Sequence, residues 1–201
     1  MKSNYTFFDL EKLNKIYHIS DIHIRNFKRH DEYSRVFDRL NKYITNTFTD
    51  DSLILLTGDI VHSKTDVTPE LVNIVQEFLR KLCNIGPVLM IPGNHDANLN
   101  NSHRMDALTP IVKALNHPNL VYLIDTCVIT IADIMFIHWS VFDKPEKYIK
   151  PDKLRTEYKI CLYHGPVTGV QIKENAQLNF HEVILKDRWI ISTESVYLGN
   201  N

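Results

Sequence analysis

Four short polar strings share one residue vocabulary: Asp21-Ile22-His23, Gly58-Asp59-Ile60-Val61-His62, Gly93-Asn94-His95-Asp96 and His164-Gly165. Carboxylate, imidazole and amide oxygen together form the ligand set of a borderline-hard divalent ion such as manganese, iron or zinc. Cys83, Cys127 and Cys161 lie in separate apolar stretches without a C-x-x-C spacing, so a thiolate zinc site is not expected. Ten histidines occur in 201 residues, and several stand beside Asp, Asn or Gly rather than on helix faces, which asks for a chemical explanation. Only six glycines occur, and Gly58 and Gly93 stand directly before ligand-type residues, where close backbone packing or unusual dihedrals are needed.

Each string follows an apolar run. Lys15–Ile19 reads as a strand ending at Ser20-Asp21, Leu53–Leu56 as a buried strand stopping at Gly58-Asp59, Val88–Ile91 as a third, and Lys159–Tyr163 as another. In α/β folds the residues just past the carboxyl ends of strands converge on one crevice, so the four turns should bring their side chains together. Helices must separate the first strands. One is expected from about Glu32, with Val36, Phe37, Leu40, Tyr43 and Ile44 at three- and four-residue steps. A second starts at Thr68-Pro69-Glu70, as N-cap, first-turn proline and early acid, and carries Leu71, Val72, Val75, Phe78, Leu79 and Leu82 to a close at Gly86-Pro87. A shorter helical stretch over Ser102–Leu115 precedes strands at Val121–Ile124, Val128–Ile131 and Ile134–Ile137, the last two joined in a hairpin by Ala132-Asp133. Lys144–Leu154 reads as a surface connection, and Val183–Leu185 and Val196–Leu198 as final strands. This βαβαβ opening followed by strands and hairpins argues for an α/β sandwich in one domain over residues 1–201.

With 44% hydrophobic and 23% charged residues, the chain can bury one core, which excludes disordered, collagen-like and disulfide-scaffold classes. The formal net charge of -1 supplies no global basic field, so any contact with nucleic acid must be local. The loop Arg25–His30 offers one, with Arg25, Lys28, Arg29 and the aromatic Phe27; the alternative is a solvated charged loop. The first residues form no signal peptide and no apolar run approaches a membrane span, so a membrane partner is not expected. An odd set of buried thiols fits a reducing, intracellular compartment.

The ordered set D-x-H, G-D-x-x-H, G-N-H-D and strand-terminal His resembles the calcineurin-like metallophosphoesterases. Within that superfamily it is most similar to the SbcD-type DNA repair nucleases, on Asp21-Ile22-His23-Ile24-Arg25, Glu32-Tyr33 with Val36-Phe37, and Gly58 through His62; the likeness covers roughly residues 15–199. It implies a metallophosphoesterase-type β-sandwich flanked by helices (αββα) and two divalent ions, manganese by preference. Asp21 and His23 would bind the first ion, Asp59 would bridge both, and Asn94 and His164 would bind the second. His95 would be the catalytic histidine, Asp96 would orient its ring, and His62 would position the DNA strand, with Arg25, Lys28 and Arg29 on phosphate. DNA and an SbcC-like ATPase are the implied partners, and the segment Ser102–Leu115 resembles the family's dimerisation region, which allows a homodimer. His138, His18, His103, His117 and His181 read as structural histidines.

One departure stands out. The family's pattern closes with a strand and Gly-Asp/His-x-His, whereas Val196-Tyr197-Leu198-Gly199 is followed here by Asn200-Asn201. The expectation is therefore a domain truncated before its last metal-ligand motif, without cap or ATPase-docking regions, or a degenerate, non-catalytic subunit. A phosphoesterase of the same fold acting on small molecules or proteins is a further alternative.

Overall fold

The computed structural model describes residues 8–99, 101, 104–150, 154, 158–165, 171–173, 176–177 and 190–192. Strand β1 (Lys15–Ile19) leads to helix α1 (His30–Thr47), β2 (Ser52–Thr57), α2 (Pro69–Ile85), β3 (Val88–Ile91), α3 (Thr109–Leu115) and β4 (Leu120–Tyr122). These four strands form one all-parallel sheet in the order β1-β2-β3-β4. A second sheet follows from β5 (Cys127–Ile131), β6 (Ile134–His138), β7 (Tyr158–Tyr163) and β10 (Ile190–Ser192), in the order β10-β7-β6-β5. The hairpin β5-β6 turns at Ala132-Asp133 as expected, and β7 then returns parallel to β6. A two-stranded ribbon joins β8 (Gln171–Lys173) to β9 (Ala176–Gln177).

The period-two geometry of β2 explains why its interior, Leu53 to Leu56, is apolar throughout. Ile54 and Leu56 face α1 and α2, where they meet Phe37, Ile44, Val75 and Phe78. Leu53 and Leu55 point the other way, into the space between the sheets, against Ile129, Phe136 and Leu162. A strand covered on both faces has no polar position to fill. On the second sheet Phe136 and Leu162 face inward, while Ile137 and Cys161 face outward. That outer face is covered by Trp139, Tyr148, Ile149 and Leu154, where Trp139 stacks on Tyr148 at 5.3 Å and donates its indole N–H to the Ile149 carbonyl. The two-sheet sandwich is thus present with helices on the first sheet; the second helical layer of an αββα arrangement is not among the described residues.

The helix starts follow local chemistry. The Thr68 hydroxyl caps α2 by accepting the Leu71 N–H, and Pro69 occupies the first turn, where a missing N–H costs nothing. In α1 the buried stripe is Tyr33, Phe37, Leu40 and Ile44, and it corrects the expected one: Val36 and Tyr43 are 55% and 62% exposed. A stripe through Phe37 and Ile44 at 3.6 residues per turn leaves their preceding neighbours turned toward solvent. The third helix is shorter than expected, because the Asp106 carboxylate receives the N–H groups of Leu108 (2.8 Å) and Thr109 (2.7 Å) and the Tyr122 hydroxyl (3.0 Å), fixing a non-helical lead-in. Strands β8, β9 and β10 have no counterpart among the expected strands, and the expected strands at 183–185 and 196–198, with Gly199 and Asn200, lie outside the described residues.

All three thiols are free, and burial pushes Cys83, Cys127 and Cys161 up to about 12, 11 and 12 respectively. No helix among the described residues is long and apolar enough to cross a membrane.

His138 is structural, as expected: its Nδ1–H donates to the Asp125 carbonyl (3.0 Å) and its Nε2 is buried without a partner among the described residues. Burial pushes this imidazole down from 6.5 to about 4. Between those values the unfolded chain binds a proton that the folded chain refuses, so stability is full above pH 6.5 and falls as the pH drops. The loss integrates to about 3 kcal/mol. His138→Asn keeps an N–H donor for Asp125 but does not titrate. In urea unfolding with EDTA, the stability advantage of the wild type should shrink by about that amount from neutral pH to the acid end; a constant gap refutes the assignment.

Candidate metal centre

The ligand turns lie beyond the carboxyl ends of β1, β2, β3 and β7, and the backbone laces two of them together. Asp21 N–H donates to the Gly58 carbonyl (3.2 Å), His23 N–H to the Asp59 carbonyl (2.9 Å), and Ile24 N–H to the Ile60 carbonyl (2.9 Å). Three of the expected ligands occupy the left-handed region: Asp21 at φ 55, His23 at φ 49 and Asp59 at φ 53. Non-glycine residues are held there only when the surroundings over-determine them, and such strain collects at functional sites. Gly58, at φ 90, packs so closely that a Cβ would stand 2.7 Å from both the Gly93 Cα and the His164 ring. Both glycines expected to permit close approach do so.

Asp59 is the hub. Its Oδ1 accepts the His95 peptide N–H at 2.9 Å. Its Oδ2 faces three imidazole Nε2 atoms, those of His164 at 3.2 Å, His23 at 3.4 Å and His95 at 4.0 Å. Asp21 stands behind, its Oδ1 3.9 Å from His23 Nε2 and 4.0 Å from His164 Nε2, its Oδ2 accepting the Ser20 hydroxyl. Burial raises the Asp59 carboxyl, but the hydrogen bond and charge of His164 and the His95 amide outweigh it, leaving the group below its ordinary range. At His164 burial opposes the imidazolium, and the Asp59 carboxylate overcomes it, so that imidazole is raised. His23 and His62 are both lowered, first by burial.

Backbone carbonyls set two ring tautomers. A carbonyl only accepts, so His164 Nδ1 carries its proton toward Thr57 (2.5 Å), and His95 Nδ1 carries its proton toward His62 (2.9 Å). In the neutral rings both Nε2 atoms then present lone pairs to the centre. This is the outer-shell arrangement typical of metal-ligating histidine. Sequence reading missed Thr57 and the Tyr33 hydroxyl, which holds the His23 carbonyl at 2.8 Å. Neither has a local signal, since each acts across the fold.

Asp96 corrects an expectation. It does not hold the His95 ring; it is fully buried and receives the N–H groups of Gly93 (2.9 Å), Val61 (2.9 Å) and Ile60 (3.3 Å). Burial pushes its carboxyl up to about 7 against those three amides. Its work is to tie the turn after β3 to the turn after β2, and His95 is oriented by the His62 carbonyl instead.

The donor atoms fall into two groups, each within 4.8 Å: Asp21, Asp59 and His164, and His23, His62 and His95. His23 Nε2 also lies 3.9 Å from Asp21 Oδ1 and 3.4 Å from Asp59 Oδ2, so His23 stands beside both groups. His62, expected as an additional active-site histidine that positions the DNA strand, stands in the imidazole group, its ring 5.7 Å from those of His23 and His95. Asn94 is half-buried on the same turn, between Gly93 and His95. The residues fit divalent cations: two carboxylates stand among imidazole nitrogens, and the buried Nδ1 atoms of His23 and His62 have no hydrogen-bond partner among the described residues.

A cleft of about 690 Å³ opens here, lined by Asp21, Ile22, His23, Tyr33 and His62 and by the three basic side chains Arg25, Lys28 and Arg29. Arg29 is committed to Glu32 at 2.5 Å, whereas Arg25 and Lys28 are exposed and form no ion pair among the described residues.

A two-sheet α/β sandwich with a carboxylate and imidazole centre past its strand ends defines the class of protein. Residues 14–192 match the calcineurin-like phosphoesterase family, and the chain belongs to it. It is 40% identical over 188 residues to an uncharacterized protein of Acanthamoeba polyphaga mimivirus, a likeness covering 88% of this chain and 14% of that protein. The chain thus spans a small part of that relative's length. Among solved structures, it is similar to Pseudomonas putida nuclease MPE at TM-score 0.38 and 18% identity, over 62% of this chain and 54% of that one.

Proposed function

We propose that the chain is the phosphoesterase domain of an SbcD-type nuclease, a metal-dependent hydrolase of DNA phosphodiesters in repair or recombination. Two manganese ions, an SbcC-like ATPase and an intracellular setting belong to this reading. The observation that carries it is the shared cleft, in which Arg25 and Lys28 stand beside Asp21, His23 and His62. On a chain of net charge -1, unpaired cations concentrated at the centre suit a polyanionic substrate.

The roles follow from placement. Asp21, Asp59 and His164, with His23 and Asn94, would hold the cations, whose chemistry is to polarise a phosphoryl oxygen and neutralise its developing charge. Arg25 and Lys28 would bind the flanking phosphates. The His95 ring is aimed by its Nδ1–H on the His62 carbonyl, so as an imidazolium it would direct its second proton, on Nε2, toward the leaving oxygen.

The test is the chain with manganese against linear duplex DNA, nucleotides and a phosphopeptide. Hydrolysis of DNA in preference to the others is expected. Phosphopeptide or nucleotide turnover with DNA intact favours a phosphoesterase of small molecules or proteins. Inertness toward all three, unrelieved by appending a Gly-Asp-x-His segment, marks a non-catalytic subunit.

A further inference from the structure

We propose that Phe27 is a stacking platform for one unpaired nucleobase beside the phosphate-binding cleft; this rests on the nuclease reading above. Phe27 is 71% exposed and has no ring partner among the described residues. It is also held at φ 51, in the left-handed region that a bulky L residue enters only at a cost. A ring this exposed gains little packing to offset that strain, which favours a role outside the folded chain.

The loop is braced rather than loose. The Asn26 amide donates to Asp66 (3.0 Å) and accepts the Thr68 hydroxyl (2.5 Å), and His30 Nε2 meets the Arg25 carbonyl (2.9 Å). Phe27 is therefore presented in a set place. It lines a depression with Arg29, Arg35 and the acids Asp31 and Glu32; Arg29, paired with Glu32, also borders the cleft containing Asp21 and His23, and the free charge near Phe27 comes from the exposed Arg25 and Lys28 of that cleft. A cationic track with one aromatic face is the chemistry that grips single strands: phosphates lie on the cations and a base stacks on the ring. A paired base is already stacked within its duplex, so this face selects an unpaired or frayed nucleotide.

The test is binding of the 201-residue chain, in EDTA to prevent cleavage, to a thymidine oligomer carrying 2-aminopurine and to a blunt duplex of equal length. Wild type should quench the 2-aminopurine. Phe27→Ala should lose the quench and weaken single-strand binding about 10-fold with an unchanged salt slope, while duplex binding shifts less than about threefold. Phe27→Trp should restore the quench. Lys28→Ala should instead reduce the salt slope by about one. Phe27→Gly, free of the left-handed penalty, should lose the quench with a Tm no lower than wild type. Equal single-strand binding and quench in wild type and Phe27→Ala overturns the platform alone, provided DNA is cleaved in the manganese assay. Neither binding nor cleavage of any DNA overturns the nuclease reading and the platform with it.

Discussion

Asp59→Asn should empty the centre of bound manganese and lower turnover at least about 10³-fold. The two oxygens of Asp59 serve different elements: Oδ1 holds the His95 amide, while Oδ2 faces His164, His23 and His95 at 3.2 to 4.0 Å. Asparagine retains the acceptor for the amide but turns an N–H toward imidazole nitrogens and removes the negative charge that binds a cation. Folding should survive, so the loss is read as ions bound per folded chain, by titration calorimetry beside circular dichroism. The contrast is His95→Ala, which should keep most of the metal affinity and lose about 10² to 10⁴ in turnover. If His95→Ala loses metal as completely as Asp59→Asn, then His95 is a ligand with His23 and His62 rather than a proton carrier. Full activity in Asp59→Asn removes the centre from the reaction altogether.

Gly93→Ala should damage both stability and metal binding. A Cβ at position 93 would collide with the Asp59 carboxylate oxygen and backbone nitrogen, and would lie 2.9 Å from Asp59 Cγ. None of these is the yielding end of a long side chain. The Asp59 nitrogen belongs to a turn already held at φ 53, and Gly93 N–H is itself bound to the buried Asp96 carboxylate. Relief requires the two turns to part, which breaks the Asp96 contacts to Ile60 and Val61 as well. Overpacking of this kind costs about 3 kcal/mol. Manganese affinity should fall at least about 10-fold, because ligand positions must hold to a fraction of an ångström. Urea midpoints and manganese titration check both halves, and wild-type affinity in Gly93→Ala shows that the turns are not locked together as described.

The sequence by itself determined the strands that carry the ligand strings, the Thr68-Pro69 start of α2, the β5-β6 hairpin and the need for glycine at 58 and 93. Those features are local: alternation, caps and turns are written within a few adjacent residues, and strand ends in an α/β sheet converge whatever the loops between them do. The tertiary structure alone decided that Asp96 anchors three amides, that carbonyls of His62 and Thr57 aim the rings of His95 and His164, and that His62 joins the imidazole group. It also turned Val36 and Tyr43 outward. Each of these depends on the direction of a side chain toward a partner distant in sequence or on the exact phase of a helix, and the order of residue types along the chain carries neither.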